Sequence, residues 1–443
     1  MNGRTPWHQD GLDAALARAT EAGRPLLVRW TASWCPPCQE LRLEVFDGAR
    51  FAALAPSLEL LSIDGDAPGA QRDGERLGAS FYPTCLLLDP HGRELLRLSG
   101  GRDAGAFCDL IARHAEVRVP LQARIRRVED GRATDEDLDA FAAQAWSLDG
   151  RHHPLPGLPA LLEAAWAQAA HAPLRTRMAL LVHWLQAVEG GPARPPPAGA
   201  AAVLLAGLHS APLAFADVYA LALRPARLDL AAPPRGTPPL RQALRERLAS
   251  LADDPMLGPT QRLILLYGRV QLAGGRVDPA LAHAVRATVH RAQHEAHGDD
   301  ARLSVLNMAA ELLRAGGDGS GARALLQAEA ERSAHAAYFL QALAGLHEAA
   351  GDRDRAQDCA RRAYERTPPG PTRFARGLRY LRTLPTTPQD APGFERALRT
   401  LLSEVAAQPA PVDGNQRRYL ADLFALLAQR DAPAPTSPAR TPA

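Results

Sequence analysis

From Val28 to Glu40 the chain runs VRWTASWCPPCQE, with cysteines at positions 35 and 38 and two prolines between them. The preceding Pro25-Leu26-Leu27-Val28-Arg29-Trp30-Thr31 is a short apolar run of the buried-strand type. The residues after it predict a helix that starts at the prolines and carries Leu41, Leu43, Val45 and Phe46. The first turn of a helix has free N–H groups and the positive end of its dipole. Cys35 is therefore expected as a thiolate of lowered pKa, the form that attacks a disulfide. Cys38 lies one turn further on, placed to attack the mixed disulfide that results. Pro36 and Pro37 suit first helical positions because a proline lacks the N–H that would go unpaired there. They also stiffen the ring that a Cys35–Cys38 disulfide closes.

A lone CxxC is also half of a zinc site. Zinc needs about four ligands, commonly from a second CxxC or a closely spaced histidine pair. The first 118 residues offer neither, since His8, His91 and His114 are scattered. The spacing therefore favours redox use over metal binding or a purely structural role. No metal is expected, and no cofactor beyond the redox-active Cys35–Cys38 disulfide. The other three of the five cysteines, Cys85, Cys108 and Cys359, lie singly in apolar contexts and are expected as buried packing residues.

Around the motif, helix and strand patterns alternate. Asp10 to Ala22 predicts a helix, Leu58 to Ile63 a second strand, and a loop and short helix come next. Thr84 to Leu88 and Glu94 to Leu98 flank Asp89-Pro90-His91-Gly92, which predicts a hairpin. Asp103 to His114 reads as a closing helix. This order predicts an α/β domain over residues 1–118, a mixed central sheet flanked by helices.

The stretch VRWTASWCPPCQE resembles the strand-to-helix active site of thioredoxins, and Phe81-Tyr82-Pro83-Thr84, 48 residues after Cys35 at Pro83, resembles their cis-proline signature. The lead-in helix, LRLEVF and DPHGRELLRLSG are most similar to the C-terminal domain of the transmembrane disulfide-interchange reductases. The resemblance implies a thioredoxin fold with Cys35 as attacking and Cys38 as resolving thiol. It implies a cis Pro83 facing the pair, with the Tyr82 backbone receiving an extended client segment as an added strand. Trp34 would shield the thiols. Thioredoxins usually carry a buried carboxylate six residues before the attacking cysteine; here that position is Arg29, and Leu60 replaces the basic partner on the next strand. A cation beside the pair would favour thiolates and make the disulfide more oxidising, whereas an Arg29 that reaches the domain edge would do neither.

Strand signals stop near residue 119. Thr134-Asp135-Glu136-Asp137 predicts a helix start, and helices separated by Pro- or Gly-containing turns continue to about residue 430. Gly190 to Gly199, with three consecutive prolines, reads as a linker between helical layers, and His152-His153 as a solvated loop pair. Gly317-Asp318 recurs 34 residues later as Gly351-Asp352, with Ala322/Ala356, Leu306/Leu340, Leu312/Leu346, Glu331/Glu365 and Arg332/Arg366 in step. Cys359 takes the position of Leu325. This period, clearest over 301–368, resembles the tetratricopeptide repeat and implies a larger all-α repeat domain over 119–430. Residues 431–443, rich in Pro, Ala, Ser and Thr, are expected to be a disordered tail.

The net charge is +2, from 51 basic and 49 acidic residues, and every basic residue is arginine. No global field draws nucleic acid or anionic lipid, and no lysine is available as a Schiff-base or general-base group. The longest uncharged stretch, Arg194 to Asp217, is interrupted by prolines, and no run approaches the roughly 20 residues of a membrane span. The first residues have no apolar signal-like core, so a cytoplasmic location is expected, or a periplasmic one if residues precede Met1. The expectation is a protein-disulfide oxidoreductase of cell redox homeostasis, with a helical domain that recruits a protein client bearing a disulfide or thiol. An upstream dithiol reductant would supply its electrons. The competing expectation is a redox-sensing helical adaptor or scaffold without catalytic turnover.

Overall fold

The computed structural model describes residues 6–100, 104–148, 157–210, 215–232, 237–252, 254–274, 276–385, 391–408 and 412–431. The His152-His153 pair and all of the expected tail beyond Asp431 lie outside them. The N-terminal part contains α1 (Leu12–Ala22), β1 (Leu26–Thr31), α2 (Pro36–Leu41), α3 (Ala49–Leu54), β2 (Glu59–Asp64), α4 (Ala70–Leu77), β3 (Thr84–Leu88), β4 (Glu94–Leu98) and α5 (Ala104–Val117). The strands form one mixed sheet of order β2-β1-β3-β4. β1 pairs parallel with β2 and antiparallel with β3, and β3 pairs antiparallel with β4. The α/β reading of this part is correct.

Strand alternation divides the core. One face presents Leu27, Leu60, Cys85, Leu87, Leu96 and Leu98 to Leu41, Val45, Phe46, Phe51, Phe107 and Ile111 of the helices packed on it. On the other face Trp30 is fully buried. Gly74 of α4 makes room for it: a β-carbon there would lie 2.6 Å from Cη2 of the indole. The β3–β4 turn closes as its residues predict, with Gly92 donating to the Asp89 carbonyl (2.9 Å) at φ +81° and Asp89 Oδ1 accepting the amides of His91 and Arg93.

The motif helix is not regular throughout. After Leu41 the helix widens into a π turn over Arg42–Phe46. Within this turn Leu43 is 41 % exposed, while Val45 and Phe46 are buried. The short helix α3 also had no periodic signal of its own.

No strand comes after Leu98 among the described residues. The helices are α6 (Leu121–Glu129), α7 (Asp135–Ala143), α8 (Leu158–Gln168), α9 (Leu174–Val188), α10 (Ala200–His209), α11 (Phe215–Leu223), α12 (Leu228–Ala231), α13 (Thr237–Leu251), α14 (Pro259–Leu272), α15 (Pro279–Glu295), α16 (Asp299–Ala315), α17 (Gly319–Arg332), α18 (Ala336–Ala349), α19 (Arg353–Glu365), α20 (Pro371–Thr383), α21 (Ala391–Ala406) and α22 (Asn415–Asp431). The chain forms two compact units: Met1–Gly65 with Asp73–His335, and Asp66–Arg72 with Ala336–Ala443. The change of sequence pattern at 118 thus falls at the end of α5, while the first unit continues well beyond it.

Within the first unit the junction is hydrogen-bonded. Gln144 Oε1 accepts the Arg97 amide of β4 (2.8 Å), and the Ala145 amide donates to the Arg97 carbonyl (2.9 Å). Both polar groups that β4 turns outward at Arg97 are therefore satisfied by the chain after α7. Thr134 caps α7 through a capping box with Asp137, and the buried Asp137 carboxylate pairs with the equally buried Arg124 (2.8 Å). The Gly190–Gly199 segment does not separate two layers. It joins α9 to α10, whose Leu181, Leu185, Ala200, Leu204 and Leu208 share one core. The segment is held back on the helices, with the Trp166 indole N–H donating to the Ala198 carbonyl (3.2 Å).

The two copies of the 34-residue pattern use the same turn chemistry. In the first unit, Gly317 (φ +86°) precedes Asp318, whose Oδ1 caps α17 through the Gly321 amide (2.8 Å). In the second unit, Gly351 (φ +75°) precedes Asp352, whose Oδ1 caps α19 through the Arg355 amide (3.2 Å). Leu306 and Leu340, Ala322 and Ala356, and Leu325 and Cys359 are all buried. The second unit has its own core of Tyr364, Phe374, Leu378, Leu381, Phe394, Leu401 and Leu423. Asp66 Oδ1 accepts the Thr372 amide (2.8 Å) and Gln71 Oε1 the Asn415 amide (2.9 Å), which fixes Asp66–Arg72 in that unit.

Candidate active site

Cys35 is the N-cap residue of α2, and prolines occupy the helical positions directly after it. It reaches this place because β1 ends at Thr31 and the chain turns sharply, the Cys35 amide donating to the Ala32 carbonyl (3.2 Å). Its sulfur accepts the Cys38 amide (3.3 Å). Its carbonyl takes the Cys38 and Gln39 amides (3.1 and 3.2 Å). A negative charge on Cys35 Sγ would therefore meet an oriented N–H from the first turn. Cys35 and Cys38 are joined by a disulfide, with Cα atoms 5.2 Å apart. The pair is 2 % and 5 % exposed and packs with Ala32, Trp34 and Tyr82.

The Tyr82–Pro83 peptide is cis. The Pro83 ring and the Pro37 carbonyl both lie 3.8 Å from the point where a residue at 100 would place its β-carbon, so Gly100, Pro83 and the cysteine turn converge. Tyr82 stacks on Trp30 (5.4 Å, 6° between planes) and meets Trp34 edge-on (5.5 Å, 80°). Gly65 leaves room for its phenol ring, since a β-carbon there would overlap the Tyr82 oxygen. Ser33, Pro37 and Phe81 are the exposed residues of this rim.

Arg29 lies elsewhere. Its guanidinium sits over Trp7 (4.3 Å) and beside Phe46 (5.7 Å), and Nε donates to Ser62 Oγ (2.8 Å). Burial lowers its pKa to about 10, which leaves it charged at neutral pH. None of its hydrogen bonds or ring contacts reaches Cys35 or Cys38; the thiol it faces across the sheet is Cys85. Burial pushes Cys85 up to about 12 and raises Cys359 as well. Cys85, Cys108 and Cys359 are all buried.

Two further features were not anticipated from sequence. Helix α16 packs along α2: Ser304 Oγ donates to the Pro36 carbonyl, and Asp300 pairs with Arg42 (2.8 Å) and with His335 (2.8 Å). Pro36 is buried while Pro37 stays exposed. Four residues from Pro36, and so on the same side of α2, stands Glu40. It has no hydrogen bond or ion pair among the described residues. Burial, and secondarily Glu44, push it from 4.5 up to about 8, and its charge in turn helps raise Tyr219 of α11. Its position after the cysteines was the only available signal, because nothing local tells that α16 will cover this face.

This burial makes stability depend on pH. Folded Glu40 prefers the neutral form, while in the unfolded chain it ionises near its ordinary value. Its contribution is intact below about pH 4.5 and is lost as pH rises through about 8. Glu40→Gln is expected to raise the melting temperature by roughly 5 °C at pH 9 and to leave it unchanged at pH 4, read by calorimetry.

A mixed sheet with a cysteine pair at a helix start, opposite a cis-proline, defines a thioredoxin fold. The family model described as Thioredoxin-like matches residues 6–90. Over 95 residues the chain is 32 % identical to Thioredoxin H-type of Oryza sativa subsp. indica, covering 21 % of this chain and 73 % of that protein. It is 33 % identical over 108 residues to Thiol:disulfide interchange protein DsbD 1 of Pseudomonas aeruginosa, covering 24 % of this chain and 18 % of that one. It is 28 % identical over 99 residues to Protein disulfide-isomerase tigA of Aspergillus niger, covering 22 % and 28 %. The chain thus spans less than a third of the length of these last two relatives. Through its N-terminal part, the chain belongs to the thioredoxin-like family. Among the described residues no helix is long and apolar enough to cross a membrane.

Proposed function

We propose that the protein is a thiol–disulfide oxidoreductase that exchanges disulfides with a protein client, and that its helical region, tetratricopeptide-like at 301–368, holds that client or a partner. The observation that carries the proposal is the Cys35–Cys38 disulfide at the head of α2, with the Cys38 amide directed at Cys35 Sγ. In the reduced protein the Cys35 thiolate attacks one sulfur of a client disulfide. A Cys35–client disulfide forms and the other client sulfur leaves as a thiolate. Cys38, having given up its proton, attacks Cys35 Sγ, closes the intramolecular disulfide and releases the second client thiolate. The client gains two electrons and the protein loses two. An upstream dithiol returns them by the reverse exchange, and the same steps run backwards oxidise a dithiol client.

Trp34 and Tyr82 would shield the mixed disulfide, and the exposed Phe81 and Pro37 would flank an extended client segment laid along Tyr82–Pro83. The packing of α16 on α2 favours a second reading, an adaptor whose helices respond to the cysteine state without turnover. Trapping separates the two. A Cys38→Ser variant mixed with disulfide-bonded insulin is expected to accumulate a covalent adduct through Cys35 that dithiothreitol releases. The Cys35→Ser/Cys38→Ser variant forms none. Equal adduct yields from the two variants, or none from either, contradict the exchange reading.

A further inference from the structure

We propose that His290 and His294 on α15 form a binding site for a divalent transition-metal ion of the copper, nickel and zinc class. The helix explains why two imidazoles meet. Val285, Val289, Ala292 and, just past its end, Ala296 are buried, which turns His290 and His294, one helical turn apart, to solvent. Their Nε2 atoms are 3.1 Å apart, with ring centroids at 4.4 Å and planes inclined by 63°. Only one of two facing imidazole nitrogens can be the donor, so the pair converges on a single proton. A cation set to one side of the line between them can take one lone pair from each nitrogen. With metal–nitrogen distances of about 2.0–2.1 Å, a 3.1 Å separation corresponds to an N–metal–N angle of about 95–100°. That lies between the square or octahedral and the tetrahedral angle, within reach of all three ions.

The donor type selects the ion. Neutral imidazole suits copper, nickel and zinc, whereas calcium and magnesium require oxygen ligands. No third His, Cys, Asp or Glu completes the group among the described residues, so water fills the remaining positions and the site stays open to a further ligand. The site makes no use of the cysteine pair, and its failure would leave the disulfide-exchange reading untouched.

The test uses the full chain in its disulfide form, so that Cys35 and Cys38 offer no thiolate, titrated with Cu2+, Ni2+ or Zn2+ alone. Saturable binding of one equivalent is expected, tightest for Cu2+. His290→Ala and His294→Ala each weaken it at least tenfold, and His283→Ala, on the same helix, changes it less than twofold. The Cu2+ electron paramagnetic resonance spectrum shows coupling to two imidazole nitrogens. Absence of saturable binding, binding unchanged by both substitutions, or a spectrum with fewer than two nitrogens overturns the proposal. Because both side chains are exposed, unchanged circular dichroism of the variants verifies that a loss is local.

Discussion

The native protein is expected to accelerate the reduction of insulin by dithiothreitol, and replacing Cys35 by serine is expected to return it to the uncatalysed rate. A serine hydroxyl at the same N-cap position is not ionised at neutral pH, so the amide directed at Sγ has no anion to stabilise, and no mixed disulfide can form. Cys38→Ser is expected to slow turnover for a different reason: the first attack proceeds, and the adduct then waits for dithiothreitol to release it. The other cysteines serve as controls. Cys85, buried on β3 with its pKa pushed up to about 12, carries no thiolate at neutral pH. Ser at 85, 108 or 359 is expected to leave the insulin rate within about twofold in the folded fraction. Loss of turnover in all five variants alike would point to unfolding instead of chemistry.

The second large effect is on stability. Arg97 is fully buried on β4. Its guanidinium donates to the Leu77 and Gly78 carbonyls at the end of α4 (2.8 and 3.3 Å) and pairs with Glu94 (2.9 Å), which also accepts from Gln144 (3.0 Å). Arg97→Ala removes one partner of a buried pair and leaves two carbonyls and a carboxylate short of a donor. The expected loss is about 3–5 kcal/mol, seen as a lower urea midpoint. Arg50→Ala, at an ion pair with Asp109 in which both side chains are more than half exposed, is expected to cost under about 1 kcal/mol. Equal midpoints for the two variants would contradict this assignment of Arg97.

Much of the N-terminal fold could be read from local pattern because its signals are local. The apolar run at Leu26–Thr31, the prolines after Cys35 and the Asp89–Gly92 turn each act within a few residues, and β1, α2 and the β3–β4 hairpin stand where they predict. The Gly-Asp turns at 317 and 351 are of the same kind, a positive-φ glycine followed by a capping aspartate. What the pattern could not supply depends on partners distant in sequence. Ser304 meets Pro36 across 268 positions, and no local pattern announces that α16 packs on the helix carrying the half-buried Glu40. Arg29 shows the same limit. Its place in the motif suggested a charge beside the cysteines, but Trp7 and Ser62 hold it. The proline-rich segment at 190–199 looked like a boundary, yet the helices on either side share a core. A run of prolines interrupts a helix; it does not report whether the flanking helices touch.

The acidity of the reduced Cys35 thiol tests the mechanism most directly. Titrated by thiolate absorbance, with a Cys35→Ser variant to assign the transition, Cys35 is predicted to ionise below about pH 7.5. Ionisation near the ordinary thiol value of about 8.5 would mean that the head of α2 does not stabilise the sulfur anion, and disulfide exchange could not start from a helix-activated Cys35.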